Sequence, residues 1–202
     1  MSRILLFDNT FPTMIISLTG PSGAGKEHLK KALLQRFVTL KELCWTTTRS
    51  LRPEESQGVT RESISRQEFD ELVQADEFMF VQQVFNNSYG IRKHFLRTES
   101  GFFLTEFHIE NLILAHSQEL CPVTIGLIPQ SIEFLKERLK RRGTESAEEI
   151  ADRLSSAKKE VSLINQHRHL FSLLVKFSGA NEHAVADIVS EFLKPHITPA
   201  TP

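Results

Sequence analysis

The sequence predicts an α/β fold in which a mostly parallel sheet is covered by helices on both faces. Apolar segments of strand length alternate with helical segments along the chain, and this alternation is typical of parallel sheets. The first apolar segment ends in a glycine-rich turn that leads directly into a helix, which is the context of a phosphate-binding loop. At 202 residues the chain fits one domain, with room for mobile subdomains.

Hydrophobic periodicity and turn residues predict the elements in order. The predicted strands are 14–20, 77–85, 101–107, 121–128 and 170–177. The predicted helices are 26–37, 65–75, 109–117, a long segment from 131 that breaks at Arg142-Gly143-Thr144 and resumes over 147–166, and 182–193. Ser65 and Glu68 have the spacing of a capping box, which marks the start of the second helix.

The two ends of the chain lie outside this pattern. Residues 1–13 are predicted to be an N-terminal extension to a domain that covers 14–193. The tail at 194–202 is rich in proline and has little to bury, so we expect it to be disordered.

Composition and charge exclude several functional classes. The formal net charge is −1 and the isoelectric point is about 6.7, which argues against a general nucleic-acid or anionic-membrane binder. No segment approaches the length of a membrane span, and no signal peptide is evident. We therefore expect a cytoplasmic protein.

The glycine-rich turn GPSGAGK ends at Lys26 and has the spacing of a phosphate loop, but the next residue is unusual. The pattern requires Ser or Thr, whose hydroxyl ligates Mg²⁺, and this chain has Glu27. A carboxylate gains from the helix dipole, and it is also a good ligand for a hard cation, so Glu27 is a candidate Mg²⁺ ligand. Without metal it would repel a bound phosphate by roughly 3 kcal/mol at 6 Å. The sequence therefore predicts ATP binding that depends steeply on Mg²⁺.

Arginines form the second candidate feature. Arg49 and Arg52 follow a short predicted strand, Arg138 and Arg142 precede the helix break, and Arg153 follows it. Arginine suits phosphoryl transfer because its planar fork binds phosphate in a bidentate manner and stays charged. Exposed arginines on helix surfaces are the alternative interpretation.

Four motifs in the same order resemble those of the guanylate kinases, from about Met14 to Leu193. They are GPSGAGK, TTRSLRPEE, NSYG and LKERLKRRGTESAEEIADRL. The resemblance implies a three-layer P-loop NTPase core, an acceptor-binding subdomain at about 43–100 and a helical lid at about 140–155. It implies catalytic roles for Lys26, Arg142 and Arg153. It implies ATP binding by Gly20, Ser22, Gly23, Gly25, Lys26 and Arg138, and acceptor binding by Arg49, Arg52, Arg61 and Tyr89.

The positions that read guanine in this family are changed here. Trp45, Phe80 and Phe107 replace the Ser, Glu and Asp that the family uses, and Thr105 replaces an acid near the reacting phosphates, although Glu106 adjoins it. Guanine needs buried hydrogen-bond acceptors, so these changes predict poor use of GMP. They favour an acceptor with a strong anion and an apolar or stackable remainder, or no acceptor. In the alternative interpretation these aromatic residues pack the subdomain core, and other residues read the base.

The resulting hypothesis is an ATP-dependent phosphotransferase that uses Mg²⁺ and acts on a small phosphorylated acceptor, with a nucleoside monophosphate as the family default. One alternative is a sugar-phosphate kinase similar to the ribose 1,5-bisphosphate phosphokinases, which carry an acid after the loop lysine. Another is a non-catalytic guanylate kinase-like binding module, which would not need the lid arginines together. We expect ATP and the acceptor as partners, no nucleic acid or membrane, and a monomer or homodimer.

Overall fold

The computed structural model describes most of the chain. The described residues are 14–51, 55–59, 61–84, 86–98, 101–117, 120, 122–142, 146–178 and 182–197, without the side chains of Val84, Arg97, Thr98, Arg142 and Glu182. Three predicted features therefore lie outside the described residues. They are the N-terminal extension at 1–13, the predicted acceptor-binding residue Arg52, and Gly143 at the helix break.

Strands and helices alternate as the sequence predicts, with several short additions. The strands are β1 (Met14–Thr19), β2 (Leu40–Glu42), β3 (Trp45–Thr47), β4 (Arg61–Ser63), β5 (Phe78–Val84), β6 (Asn87–Arg92), β7 (Phe102–Glu106), β8 (Val123–Pro129) and β9 (Leu173–Phe177). The helices are α1 (Lys26–Arg36), α2 (Arg66–Gln74), α3 (Lys93–Thr98), α4 (Ile109–Ser117), α5 (Ile132–Arg142), α6 (Ala147–Gln166) and α7 (Glu182–Ile197), with a 3-10 turn at Arg168–Leu170.

The core is a five-stranded sheet in the order β2-β7-β1-β8-β9, and every pair in it is parallel. β1 and β8 are its central strands and are buried along almost their whole length, which explains their continuous apolar sequence. α1 and α7 pack against each other on this core. The three-layer α/β prediction is confirmed.

A second sheet, in the order β4-β3-β6-β5, lies within the range predicted for the acceptor-binding subdomain. β3 pairs with β4 in parallel and with β6 in antiparallel orientation, while β5 and β6 form a hairpin. The capping box at the start of α2 is present as predicted: the Ser65 side chain accepts from the backbone of Glu68, and the Glu68 side chain accepts from the backbone of Ser65. The strand β6 was not predicted, because its polar residues resemble a turn.

The prediction of a disordered tail is wrong for residues 194–197, and the rest of that tail, 198–202, lies outside the described residues. α7 continues through Pro195 to Ile197, which is 3% exposed and joins the main hydrophobic core. The apolar residues Leu193 and Ile197 lie four positions apart on the same helix face, and their burial favours continuation of the helix. Within the described ranges, no helix combines the length and apolarity that crossing a membrane would require.

Candidate phosphate-transfer site

The glycine-rich turn between β1 and α1 is shaped as a cradle for an anion. Gly25 caps α1 with φ of 89°, and a Cβ at this position would lie 2.7 Å from the ring of Phe177. Gly20 approaches the core equally closely, because a Cβ there would lie 2.4 Å from the carbonyl oxygen of Leu127. No side chain caps α1, so the backbone N–H groups of its first turn are available to a phosphate.

Lys26 and Arg153 both bond to this loop. The Lys26 Nζ donates to the carbonyl oxygens of Gly20 at 2.6 Å and Pro21 at 3.4 Å. The Arg153 Nη1, from α6, donates to the hydroxyl oxygen of Ser22 at 2.9 Å. An arginine of the predicted lid thus reaches the phosphate loop across 131 residues of sequence.

Two cavities flank the loop and share Ser22 and Lys26. One, of about 360 Å³, lies on the α1 side and is lined by Ser22, Gly23, Gly25, Lys26, Glu27, His28, Lys31, Glu106 and Arg138. The other, of about 340 Å³, lies on the α6 side and is lined by Gly20, Ser22, Lys26, His108, Asp152, Arg153, Ser156, Ala157 and Glu160. The structure therefore groups around one loop all six residues that the sequence predicts for ATP binding.

Arg138 is held at the first of these cavities by an aromatic ring. Its guanidinium carbon lies 4.8 Å from the centre of the Phe177 ring in β9, a cation–π geometry. The same ring packs beneath Gly25. Arg142 is the last residue of α5, and its side chain is not among those that the structure describes.

Of the predicted acceptor residues, Arg49 and Arg61 meet at a carboxylate, Glu55, and Tyr89 is hydrogen-bonded to Arg49. The Arg49 Nη2 donates to both oxygens of Glu55, at 2.7 and 2.8 Å, and the Arg61 Nε lies 3.7 Å from one of them. The hydrogen bonds with Glu55 raise the pKa of Arg49, and a hydrogen bond with Tyr89 adds to this effect. Among the described residues of this group, two guanidinium groups and one carboxylate leave one net positive charge, which suits an anionic acceptor.

Glu27 does not face the loop as a lone charge. Its carboxylate lies 3.0 Å from the Lys30 Nζ and 3.6 Å from the Lys31 Nζ. Burial raises the pKa of Glu27, but the hydrogen bonds and charges of the two lysines outweigh it, so the pKa is lowered overall. The predicted steep dependence on Mg²⁺ assumed an unpaired carboxylate, and the structure removes that assumption.

The residues around Glu27 do not form a protein-built metal site. Each Glu27 oxygen is paired with a lysine, and Glu106 lies 3.8 Å from Lys30. Across the parts of the chain that the structure describes, no cluster of three or more His, Cys, Asp or Glu side chains could hold a metal ion. The role of Glu27 as a Mg²⁺ ligand stays a sequence-based prediction.

A second charged pair lies on the α6 side of the loop. The His108 Nε2, just after β7, is 3.4 Å from the Glu160 Oε2 of α6. Glu160 is 4% exposed, and its other carboxylate oxygen is buried without a hydrogen-bond partner in the described structure. The hydrogen bond with Glu160 raises the pKa of His108, against the opposing effect of burial. This pair joins the core to α6 within the cavity that contains Lys26.

Three aromatic side chains close the space between the core sheet and the second sheet. Trp45, Phe80 and Phe107 are 4%, 1% and 1% exposed, and their ring centres lie 5.4 to 5.9 Å apart in edge-to-face contacts. The Trp45 Nε1 donates to the Thr105 Oγ1 at 2.8 Å, so the indole N–H is satisfied inside the cluster. The three rings and this hydrogen bond form a closed unit, the aromatic cluster.

Comparison with known proteins identifies the family. The guanylate kinase family model matches residues 12–192. The chain belongs to the guanylate kinase family. Membership places it among the nucleoside monophosphate kinase-type phosphotransferases, for which ATP is the phosphoryl donor and Mg²⁺ the typical metal.

Individual relatives agree with this assignment. The chain is 33% identical over 166 residues to the guanylate kinase of Nitrosospira multiformis, which covers 80% of this chain and 78% of the relative. It is 35% identical over 171 residues to the guanylate kinase of Clostridioides difficile, with 82% and 83% covered. The crystal structure of guanylate kinase from Anaplasma phagocytophilum has a TM-score of 0.63 at 22% identity and covers 93% of this chain and 88% of that one. That likeness shows a shared fold.

Within the guanylate kinase family, the aromatic cluster occupies the positions that the resemblance assigned to guanine reading. The rings contact one another edge to face, and their burial leaves no open face on which a base could stack. The expectation of a stackable acceptor therefore gains no support from these rings. Thr105 is turned inward to Trp45, whereas the adjacent Glu106 faces the loop cavity, as alternation along a strand requires.

Several residues of the site were not predicted from the sequence. Lys30 lies four positions after Lys26 and three after Glu27, and this helical spacing could have revealed it. Glu55 is the last residue of the quoted motif TTRSLRPEE, six positions after Arg49, and that motif could have revealed it. No comparable signal existed for Glu160, which lies 52 positions after His108 in the sequence.

Proposed function

We propose that this chain is an ATP-dependent phosphotransferase that phosphorylates a small phosphorylated acceptor without reading a guanine base. Its phosphate side keeps the groups that this chemistry needs. Lys26 and Arg153 converge on the loop, and Arg49, Arg61 and Tyr89 form a cationic group on the second sheet. Positioning and neutralisation of phosphate charge are the main requirements of phosphoryl transfer.

The proposal that the chain does not read a guanine base rests on the aromatic cluster. A guanine edge needs buried acceptors for its N–H groups, and the three positions supply apolar rings with almost no exposed surface. The Trp45 N–H, the one polar group among these rings, already donates to Thr105. A nucleoside monophosphate remains the acceptor class that the family suggests, and GMP would be a poor substrate.

A second candidate acceptor is a sugar phosphate, which has no base to accommodate. The closed aromatic cluster favours it, because the cluster fills the space at the base-reading positions while the neighbouring arginines keep their net positive charge. The non-catalytic module is less well supported. A binding module has no use for a lid arginine at the phosphate loop, and Arg153 bonds to Ser22 there.

ATP would be the donor, and we propose that Mg²⁺ arrives with its phosphates rather than in a site built by the protein. The chain would act in the cytoplasm, as a monomer or homodimer, with no nucleic acid or membrane as partner. Its lid, at about 140–155, would exclude water from the transferring phosphate.

Coupled measurement of ADP release with Mg²⁺ tests the proposal. The acceptor panel contains GMP, AMP, other nucleoside monophosphates, and ribose and hexose phosphates. We expect GMP turnover near background and faster turnover with another phosphorylated acceptor. The Lys26→Met variant should abolish the signal and so exclude a contaminating kinase. Efficient and guanine-selective turnover would show that the interpretation of the aromatic cluster is wrong, and no turnover with any acceptor would favour the binding module.

A further inference from the structure

Lys30 lies at the centre of three carboxylates from three different elements. Its Nζ is 3.0 Å from Glu27 of α1, 3.1 Å from Glu42 of β2 and 3.8 Å from Glu106 of β7. The Lys30 side chain is only 16% exposed. Burial of a lysine is rare unless its charge is paired, so this arrangement is a built ion cluster and not a surface pair.

This Lys30 cluster, formed by Lys30, Glu27, Glu42 and Glu106, adjoins the phosphate loop. Glu27 and Glu106 line the same cavity as Lys26. Negative charge at this place would oppose the binding of a polyphosphate, since repulsion between unit charges a few ångströms apart is strong in a partly buried site. Lys30 supplies the compensating charge from the same helix that carries Lys26, one turn later.

The charges of the cluster are mutually stabilised. Burial lowers the pKa of Lys30, but its hydrogen bonds and charge interactions with Glu27, Glu42 and Glu106 outweigh burial, and the pKa is raised overall. The pKa of Glu27 is lowered by the same pairing. Lys30 therefore stays protonated and Glu27 stays ionised around neutral pH.

We propose that Lys30 is a resident cation that, together with Lys31, offsets the charge of Glu27 and Glu106 at the phosphate loop, so that ATP binds there without needing a metal ion. This inference rests on the proposed function, because it assumes that ATP binds at this loop. Lys30 acts here as a positioning residue, since it acts through the two carboxylates and not on the nucleotide itself. Glu27 is then the partner of Lys30, and the lysine performs the charge compensation that a metal ion would otherwise provide.

The experiment is equilibrium binding of ATP by calorimetry, once with EDTA and once with excess Mg²⁺. The wild-type chain should bind in both conditions with affinities within a few-fold of each other. Lys30→Met should lower the affinity in EDTA about tenfold or more, because Glu106 loses its lysine partner and Glu27 keeps only Lys31. The loss should be smaller with Mg²⁺, which screens them. Lys158→Met, at an exposed position of α6, is the matched control and should change neither value.

Three further variants sharpen the test, and the two that do not contain Lys30→Met keep it decisive if Lys30→Met folds poorly. Lys30→Arg keeps the charge and should retain the wild-type ratio of the two affinities. Glu27→Gln leaves Lys30 with fewer carboxylates to neutralise, so it should bind ATP in EDTA at least as tightly as the wild type. The double variant Lys30→Met with Glu27→Gln should recover much of the affinity in EDTA.

The outcomes separate this inference from the proposed function. If the wild type binds ATP but Lys30→Met leaves the ratio of the affinities in EDTA and in Mg²⁺ unchanged, or Glu27→Gln weakens ATP binding in EDTA, Lys30 is not a counter-ion for the loop. A wild type that binds only with Mg²⁺ would also overturn the inference while leaving the proposed function intact. A wild type that binds ATP in neither condition would overturn both.

Discussion

The proposed phosphate side of the cleft and the positions that the resemblance assigns to base reading are built in opposite ways. On the phosphate side, the cations remain, and most of their neighbours are carboxylates or carbonyl oxygens that hold them in place, as Glu55 holds Arg49 and Gly20 holds Lys26. On the base-reading side, Trp45, Phe80 and Phe107 form a closed apolar unit.

This contrast implies that anion binding and base reading are separable within one fold. Phosphate binding needs charges in the right places, and these tolerate paired carboxylates that orient them. Base reading needs unpaired buried acceptors, which destabilise the fold when no base is bound. Replacing such acceptors by rings removes that cost and converts a recognition surface into hydrophobic core.

The largest effect is expected from a variant that tests whether the aromatic cluster is part of the hydrophobic core. Phe80→Ala should lower the free energy of unfolding by about 3–5 kcal/mol, because it removes a buried ring and leaves a cavity between two others. Urea denaturation measures the change. Val38→Ala, at a side chain that is 93% exposed, is the control and should stay within about 0.5 kcal/mol. A loss below about 1 kcal/mol for Phe80→Ala would mean that the ring borders an open pocket.

The next effect concerns the cationic group. Arg49→Ala should raise the KM of the acceptor identified in the activity screen about ten- to hundredfold, since charged hydrogen bonds contribute about 1.5–3 kcal/mol. Steady-state kinetics at saturating ATP measures this. Arg36→Ala removes an arginine that pairs with Asp187 and bonds to Ser190 on α7, and it should leave the KM unchanged. An unaltered KM in Arg49→Ala would assign acceptor binding to other residues.

The lid should show a smaller effect. Arg153→Ala removes the hydrogen bond to Ser22 and should weaken ATP binding several-fold, because a charged donor is lost beside the phosphates. Amide exchange over 146–155 should slow when an ATP analogue and the acceptor bind together, and should slow less in the variant. Exchange that stays the same at saturating ligand would favour a lid that does not close.

The smallest effect is a pH dependence of stability from His108 and Glu160. The folded-state pKa of His108 is raised, mainly by its hydrogen bond with Glu160, so the pair stabilises the fold below the unfolded pKa of about 6.5. This contribution is lost as pH rises through the folded pKa. His108→Gln should therefore destabilise the chain more at pH 5.5 than at pH 8.5, in thermal unfolding. Glu160→Gln should remove the same pH dependence, and equal losses at both pH values would contradict the pairing.

Much of this architecture could be predicted because it is local. The strand at 14–19, the glycine-rich turn and the capping box of Ser65 and Glu68 each depend on residues within a few positions of one another. Prediction failed where tertiary contacts overrode local preference. Pro195 suggested disorder, yet burial of Ile197 against the main core extends the helix. No strand was predicted at 87–92, yet pairing with β5 and β3 makes this segment a strand.

The sequence by itself determined the fold class, the order of the elements and the phosphate loop, because apolar runs, helical spacing and glycine turns depend only on residues that are close together in the sequence. Only the tertiary structure decided that the three aromatic rings close on one another and that Lys30 lies among carboxylates of α1, β2 and β7. These contacts join strands and loops that are distant along the chain. No periodic pattern in the local sequence predicts these contacts. The charge that Glu27 presents to a phosphate nevertheless depends on them.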